Sequence, residues 1–444
     1  MNILRRIAHA LLVAVVAVLL AQPAFAQRDK KKENPFPNAT RAEPKLQGQI
    51  SEANSKKINE AYDALDAGEL EKVEMLLNDV LAKKPTKYEQ GLAYQGLAQV
   101  HYERDEIDEA LAANQKAIDA NGLDNTSHFN LIYQIAQMNL MEERYDAALV
   151  AIDQWFKVTG ATNKADAWSL KGNALYRIAG EKENPAEAKP LYAAAGEALK
   201  KAIAQSEKSS DSLYQLLIAS YYDAENFAEA AQAAEAILAK DPNNKAAMQQ
   251  LSSIYLELDQ NDKAIALLEG AYQKGTLTDE KDLKQLYQLY NYVEKPEQAA
   301  RIISEGMAKG ILKPSADTHK GLADAYALQA EPLDDESAQR KALLQKAADA
   351  YGEAAKLDPK DAELDMQRGH LLVDLEKWAD AKSALTAAIG KGTLKRQGEA
   401  LILLGTAEYE LGNQQAAIAA YEKARAFPNT KSMAETWLKS VRGR

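Results

Sequence analysis

The stretch DSLYQLLIASYYDAENFAEAAQAAEAILAKDP, residues 211–242, decides the fold of the chain around it. Its apolar and small residues recur at three- and four-residue steps: Tyr214, Leu217, Ile218 and Tyr221 in the first half, Ala230, Ala234 and Ile237 in the second. That spacing puts each set on one face of a helix, and no β-branched alternation competes with it. The stretch therefore predicts two amphipathic helices joined by a turn, with Pro242 closing the unit.

Working outward, the unit recurs. From about Asn54 onward the chain is nearly all helix formers. Alignment on one small residue of each second helix picks out Val73, Ala110, Ala148, Ala195, Ala230, Ala264, Ala299, Ala347, Ala381 and Ala417. Most steps are about 34 to 38 residues, the period of a tetratricopeptide helix-turn-helix array. Two steps are longer, because GEKENPAEAK (residues 180–189) and QAEPLDDESAQR (residues 329–340) are expected to form loops between the helices of their units.

The motif residues resemble those of the tetratricopeptide repeat (TPR) family. Beyond residues 211–242 they fall on Trp168, Gly172 and Leu175 in AWSLKGNALY, and on Leu401, Leu404, Gly405, Ala417, Tyr421 and Ala424 near the end. Small side chains at the eighth and twentieth positions let two antiparallel helices approach, while large ones fill the space between neighbours. Some units are degenerate, with Lys171 and Arg368 where leucine is commoner. The resemblance implies an all-α, right-handed superhelical solenoid of about ten helix-turn-helix repeats over residues 54–429. A capping helix would follow in residues 430–444, with Trp437 and Leu438 covering the last open face.

Glycines and lysines in GAYQKGTLT, EGMAKGILK and AAIGKGTLK suggest a phosphate loop at first sight. A phosphate loop follows a strand, carries Gly-Lys-Ser/Thr and opens a helix, and none of the three segments has that order. Gly275, Gly310 and Gly392 instead recur where a second helix closes, so they are expected to supply the left-handed backbone that ends it.

The chain begins with Arg5 and Arg6, an apolar run, Pro23 and the small-residue pattern Ala24-Phe25-Ala26. This reads as a signal peptide over residues 1–26, cleaved after Ala26 and delivering the chain to the periplasm, with no transmembrane segment after cleavage. Twin-arginine export is the less favoured reading of the arginine pair. Residues 27–53, rich in Lys, Pro and Asn, are expected to be a flexible basic linker, in which Lys30, Lys31 and Lys32 are solvated rather than bound to a membrane. The chain of 444 residues has no cysteine, which excludes disulfides, thiol chemistry and a cysteine-linked lipid. Its formal charge of -11 makes it a poor general binder of nucleic acid.

Histidines test for chemistry. His101, His128, His319 and His370 lie in different units, with no spacing that sets two on one helical face. Acidic clusters such as YERDEIDEA and LDDESAQ have lysines nearby and read as solvated helix faces. With no nucleophile elbow or dinucleotide fingerprint, the reading is not an enzyme, and no catalytic residue, cofactor or metal ligand is expected. The tyrosines of QLYQLYNYVEKP, Tyr287, Tyr290 and Tyr292, would suit an aromatic platform, but at helical spacing core packing is favoured.

A concave face, built mainly from first helices, is the expected binding surface. Its inward residues are Gln95, Gln99 and Tyr102; Asn130, Tyr133 and Gln137; Asn173 and Tyr176; Gln215 and Tyr222; Gln249; Gln288 and Asn291. Amides and phenols suit an extended peptide, since they hydrogen-bond its backbone while rings cover its side chains. The bland alternative is helix packing by the tyrosines and soluble filler for the glutamines.

Several segments, AIDQWFKVTG, LEGAYQKGTLTDEKDLKQLYQLY, ARIISEGMAKGILK and the run GTLKRQGEALILLGTAEYELGNQQAAIAAYEKA, ending in AETWLKSV, resemble a narrower group. These are periplasmic TPR proteins encoded beside ExbB, ExbD and TonB homologues. That resemblance implies an accessory scaffold for energy transduction to the outer membrane, with ExbB, ExbD or TonB components as partners. Rival readings are a scaffold for outer-membrane protein or cell-wall assembly, and a carbohydrate- or peptidoglycan-binding protein.

Overall fold

The computed structural model describes residues 35–46 and 49–443. Residues 1–34, which hold the expected signal peptide and Lys30 to Lys32, lie outside the described residues. Among the described residues there are 21 α-helices and no strand.

The chain divides into two compact units at Leu258 and Asp259. The first holds α1 (Glu52–Asp66), α2 (Leu70–Leu81), α3 (Lys87–Glu103), α4 (Ile107–Ala120), α5 (Asn125–Met141), α6 (Tyr145–Thr159), α7 (Ala165–Glu181), α8 (Pro185–Gln205), α9 (Asp211–Asp223), α10 (Phe227–Lys240) and α11 (Lys245–Glu257). The second holds α12 (Asn261–Gln273), α13 (Glu280–Tyr292), α14 (Pro296–Ala308), α15 (Ala316–Ala330), α16 (Ala338–Leu357), α17 (Ala362–Asp374), α18 (Trp378–Gly390), α19 (Gln397–Glu410), α20 (Gln414–Ala424) and α21 (Lys431–Arg442). In each unit, sequential helices pack as hairpins, and each hairpin packs on the next.

The ten aligned small residues explain the packing. All ten, from Val73 to Ala417, are fully buried. Larger partners close round them: Ile58, Leu77, Phe129, Ile152 and Leu199 in the first unit, and Leu268, Ile303, Leu385 and Tyr421 in the second. The close approach is tight enough to exclude a methyl group in places. A Cβ on Gly196 would lie 2.6 Å from the Tyr221 ring. At the C-terminal end the Trp437 ring stacks on that of Tyr421, 5.9 Å between centroids at 7°, and Leu438 is buried against the same cluster.

Turns use the left-handed region at two regular places. Gly275, Gly310 and Gly392 have φ near +70° just past α12, α14 and α18, as expected of helix-ending glycines. After eight of the first helices, though not after α7 or α15, the residue two beyond the helix end is also left-handed. It is glycine at Gly68 and Gly412 but an acid at Asp105, Glu143, Glu225, Asp259, Glu294 and Glu376.

Two expectations need correction. The first longer step is not mainly a loop, because α7 runs to Glu181 and α8 starts at Pro185, so residues 185–189 are helix; in the second, residues 331–337 do connect α15 to α16, and only residues 338–340 belong to α16. The Ala, Glu and Lys of these segments extend helices, and Asn184 caps α8 by accepting from the Ala186 amide at 3.0 Å. Nor is the basic segment free along its described length. Phe36 is 5% exposed, and Thr40 donates its amide to the Val158 carbonyl at 3.0 Å. Farther on, the Ser51 amide and hydroxyl donate to Glu89 at 2.8 and 2.9 Å, and α1 begins at Glu52 rather than Asn54.

Candidate protein-binding surface

Consecutive first helices approach one another within each unit, α1 with α3, α5 with α7 and α7 with α9 in the first, α17 with α19 in the second. Second helices make no comparable approach among the described residues. The first helices are therefore the inner row of each unit, and within a unit the side chains on their open side share one surface.

The thirteen expected residues do not behave alike. On α3, Gln95, Gln99 and Tyr102 are half-buried, and Gln99 donates to Glu103 at 2.7 Å. On α5, Asn130 is exposed and Gln137 half-buried, while Tyr133 packs its ring 5.7 Å from that of Trp155. Tyr133 is thus in part a packing residue, and burial holds its hydroxyl protonated. Asn173 and Gln249 are half-buried, Gln288 is exposed, and Asn291 is half-buried with a carbonyl oxygen that has no hydrogen-bond partner.

The structure brings one subset together, on α7, α9 and α11. The Tyr176 hydroxyl donates to Asp223 at 3.0 Å, and its ring lies 5.2 Å from Tyr192. One hairpin on, the Tyr222 hydroxyl donates to Glu257 at 3.1 Å while its ring leans on Phe227 at 5.3 Å. Between these rungs Gln250 donates to Gln215 at 2.7 Å, and the Gln250 carbonyl oxygen is buried without a partner. The result is a polar strip of phenols, carboxylates and amides, with an acceptor that lacks a donor.

Asp223, Glu257 and Gln250 are absent from the expected set. Asp223 and Glu257 stand one repeat apart, each closing its first helix just beyond Tyr222 and Leu256, and that recurrence of acids is the signal that marks them.

The neighbouring tyrosines do something else. Tyr221 donates to Glu197 on α8 at 2.9 Å, Tyr255 to Glu235 on α10 at 2.7 Å, and Tyr290 to Glu269 on α12 at 2.5 Å. Each clamps a first helix to the second helix before it. Burial and then Glu235 push the Tyr255 hydroxyl up to about 12, so it stays a donor. Tyr287 and Tyr290 are buried and only Tyr292 is exposed, so an aromatic platform does not form there.

The histidines are dispersed. His101 lies 2.6 Å from Glu106, and His370 is exposed. His128 is buried, and its ring sits 5.9 Å from that of Phe129. No group of three or more His, Asp or Glu among the described residues is arranged to hold a metal ion. No helix among them is long and apolar enough to cross a membrane.

Family models described as tetratricopeptide repeat match residues 221–274 and 366–430. No curated protein matches the chain. Among solved structures it is similar to a tetratricopeptide repeat protein from Parabacteroides merdae, at 13% identity, TM-score 0.35, over 72% of this chain and 100% of that one. It is also similar to the C-terminal part of a TPR repeat-containing protein from Cytophaga hutchinsonii, at 15% identity, TM-score 0.40, over 61% and 99%. A third is YrrB, described as a TPR protein with an unusual peptide-binding site, at 15% identity, TM-score 0.37, over 47% and 99%.

Proposed function

We propose that the chain is a tetratricopeptide-repeat scaffold for protein–protein interaction, and that the first-helix row of its first unit binds an extended segment of a partner protein, with the strip on α7, α9 and α11 at the centre. The observation that carries this is the Gln250 carbonyl oxygen, buried and unpaired beside Gln215. An acceptor left so costs stability unless a donor arrives, and a peptide N–H is the donor an extended segment presents at regular intervals. Asp223 and Glu257 accept from Tyr176 and Tyr222, which fixes two carboxylates on the strip, where a negative charge suits a basic or amide side chain.

Site-specific photo-crosslinking tests the reading. A photoreactive residue at Asn173 is expected to capture the partner, and the capture is lost when Gln215, Tyr222 and Gln250 are changed to alanine together. The same probe at Val150, exposed on the second helix α6, is the control. Equal capture from both positions, or capture that survives the triple change, overturns the proposal.

We further propose that the chain works in the periplasm as an accessory to ExbB, ExbD and TonB. Support comes from the Arg5 to Ala26 pattern and from the resemblance of the segments around Trp155, Gly275, Gly310 and Gly392. Mass spectrometry of the exported form should find an N-terminus at Gln27. The captured partner should be ExbB, ExbD, TonB or a TonB-dependent receptor. Capture of envelope-assembly proteins instead would replace this assignment while leaving the peptide-binding strip in place.

A further inference from the structure

Residues 35–46 form no helix, yet they are held as a bound peptide is held. The Phe36 ring meets Phe129 edge-on at 5.1 Å and Trp155 at 5.9 Å. Thr40 gives both its amide and its hydroxyl to the Val158 carbonyl, at 3.0 and 3.3 Å. Arg41 spreads its guanidinium over three acceptors, Asn121 at 2.8 Å, Asn125 at 2.5 Å and the Leu123 carbonyl at 2.8 Å. Glu43 accepts the Asn125 amide at 3.1 Å, at the N-terminus of α5 where the helix dipole favours a carboxylate. Asn125 returns a hydrogen bond to the Arg41 carbonyl at 3.0 Å.

The receiving surface is shaped for a backbone. Gly160, at the end of α6, is left-handed, and a Cβ there would come 2.5 Å from the Asn38 carbonyl oxygen. All of these contacts sit on the turn after α4, the start of α5 and the end of α6, apart from the strip on α7, α9 and α11. An aromatic anchor, backbone hydrogen bonds, an arginine fork and a carboxylate on a helix N-terminus are peptide-recognition chemistry, and none of them depends on the peptide being joined to α1.

We propose that this edge of the first unit is a second peptide-recognition site, closed in cis by the chain's own residues 36–43. Its partner in trans is a protein segment that presents an aromatic residue five positions before an arginine and seven before a carboxylate. A tethered segment acts at an effective concentration on the order of millimolar, so the site stays shut to weak competitors and opens to a tighter one.

A labelled peptide of residues 35–46 tests this against the full chain. The doubly substituted chain F36A/R41A, with its own strap weakened, is expected to bind the peptide saturably and at least tenfold more tightly than the wild-type chain does. A peptide carrying Arg41→Ala should lose at least tenfold. Equal binding by the two chains, or no binding by a variant whose circular dichroism is native, overturns the proposal. A second measurement avoids the variant. A photoreactive phenylalanine analogue at position 36 of the otherwise native chain should crosslink to its own α5 and α6, and millimolar peptide should at least halve the yield. An unchanged yield sinks the idea. A wild-type chain found as a dimer that Phe36→Ala converts to monomer places the strap on a second copy, and overturns closure in cis.

Discussion

His128 shows how much one side chain can carry in such an array. It lies in the first turn of α5, buried, with Phe129 beside it, Arg41 of the docked segment facing it and Asp124 capping the same helix. Burial, and after it the Arg41 charge, push the imidazole down to about 4, with Asp124 opposing weakly. The unfolded chain titrates the same group near 6.5. Above that value both states are neutral and His128 has no effect on stability. As pH falls from about 6.5 to about 4 the unfolded state takes the proton first, so stability is lost across that window and the loss levels off below it. The full cost is on the order of 3 kcal/mol. Urea midpoints measured from pH 7.5 to 4 should fall steeply for the wild-type chain and much less for His128→Leu. Parallel curves would assign the loss to other groups.

At the scale of the element, helix pairing was legible because its causes are local. Periodicity marks a helix face, and the fully buried residues at Val73, Ala110 and their eight counterparts are small because two backbones approach there. What was not legible is which way adjacent residues turn. Tyr221 and Tyr222 are neighbours in sequence, but a helix rotates them by about 100°, so one clamps Glu197 while the other reaches Glu257 on the open side. The same limit hid the acids in left-handed turns, since nothing in an Asp or Glu marks φ as positive. Such a residue costs about 1 to 2 kcal/mol relative to a right-handed one, and glycine avoids most of that at some cost in chain entropy. Glu376, exposed at φ +58° between α17 and α18, is the position to relieve. Glu376→Gly should raise stability by about 0.5 to 1 kcal/mol, read as a higher denaturation midpoint with an unchanged slope. A lower midpoint would mean that the acid makes contacts worth more than the strain.

For the molecule as a whole, stability is a sum of local terms, because within each unit a repeat packs on its neighbours, and the ends can be loosened separately. The docked N-terminal segment was missed because Lys, Pro and Asn offer little to bury, and composition averages over the single aromatic, Phe36, that does the anchoring. Its partners are about 80 to 120 residues away, beyond any local pattern, whereas the closing helix with Trp437 was readable because it sits next to the repeat it covers. Locality makes these two covers independent in their effects. Trp437→Ala uncovers the Tyr421 ring and should speed amide hydrogen exchange in α19 and α20 by tenfold or more, leaving α5 and α6 unchanged. Phe36→Ala should do the reverse, speeding exchange in α5 and α6 where Phe129 and Trp155 lose their partner, with α19 and α20 untouched. If either substitution speeds exchange at both ends, the chain opens as one cooperative body and the nearest-neighbour account fails.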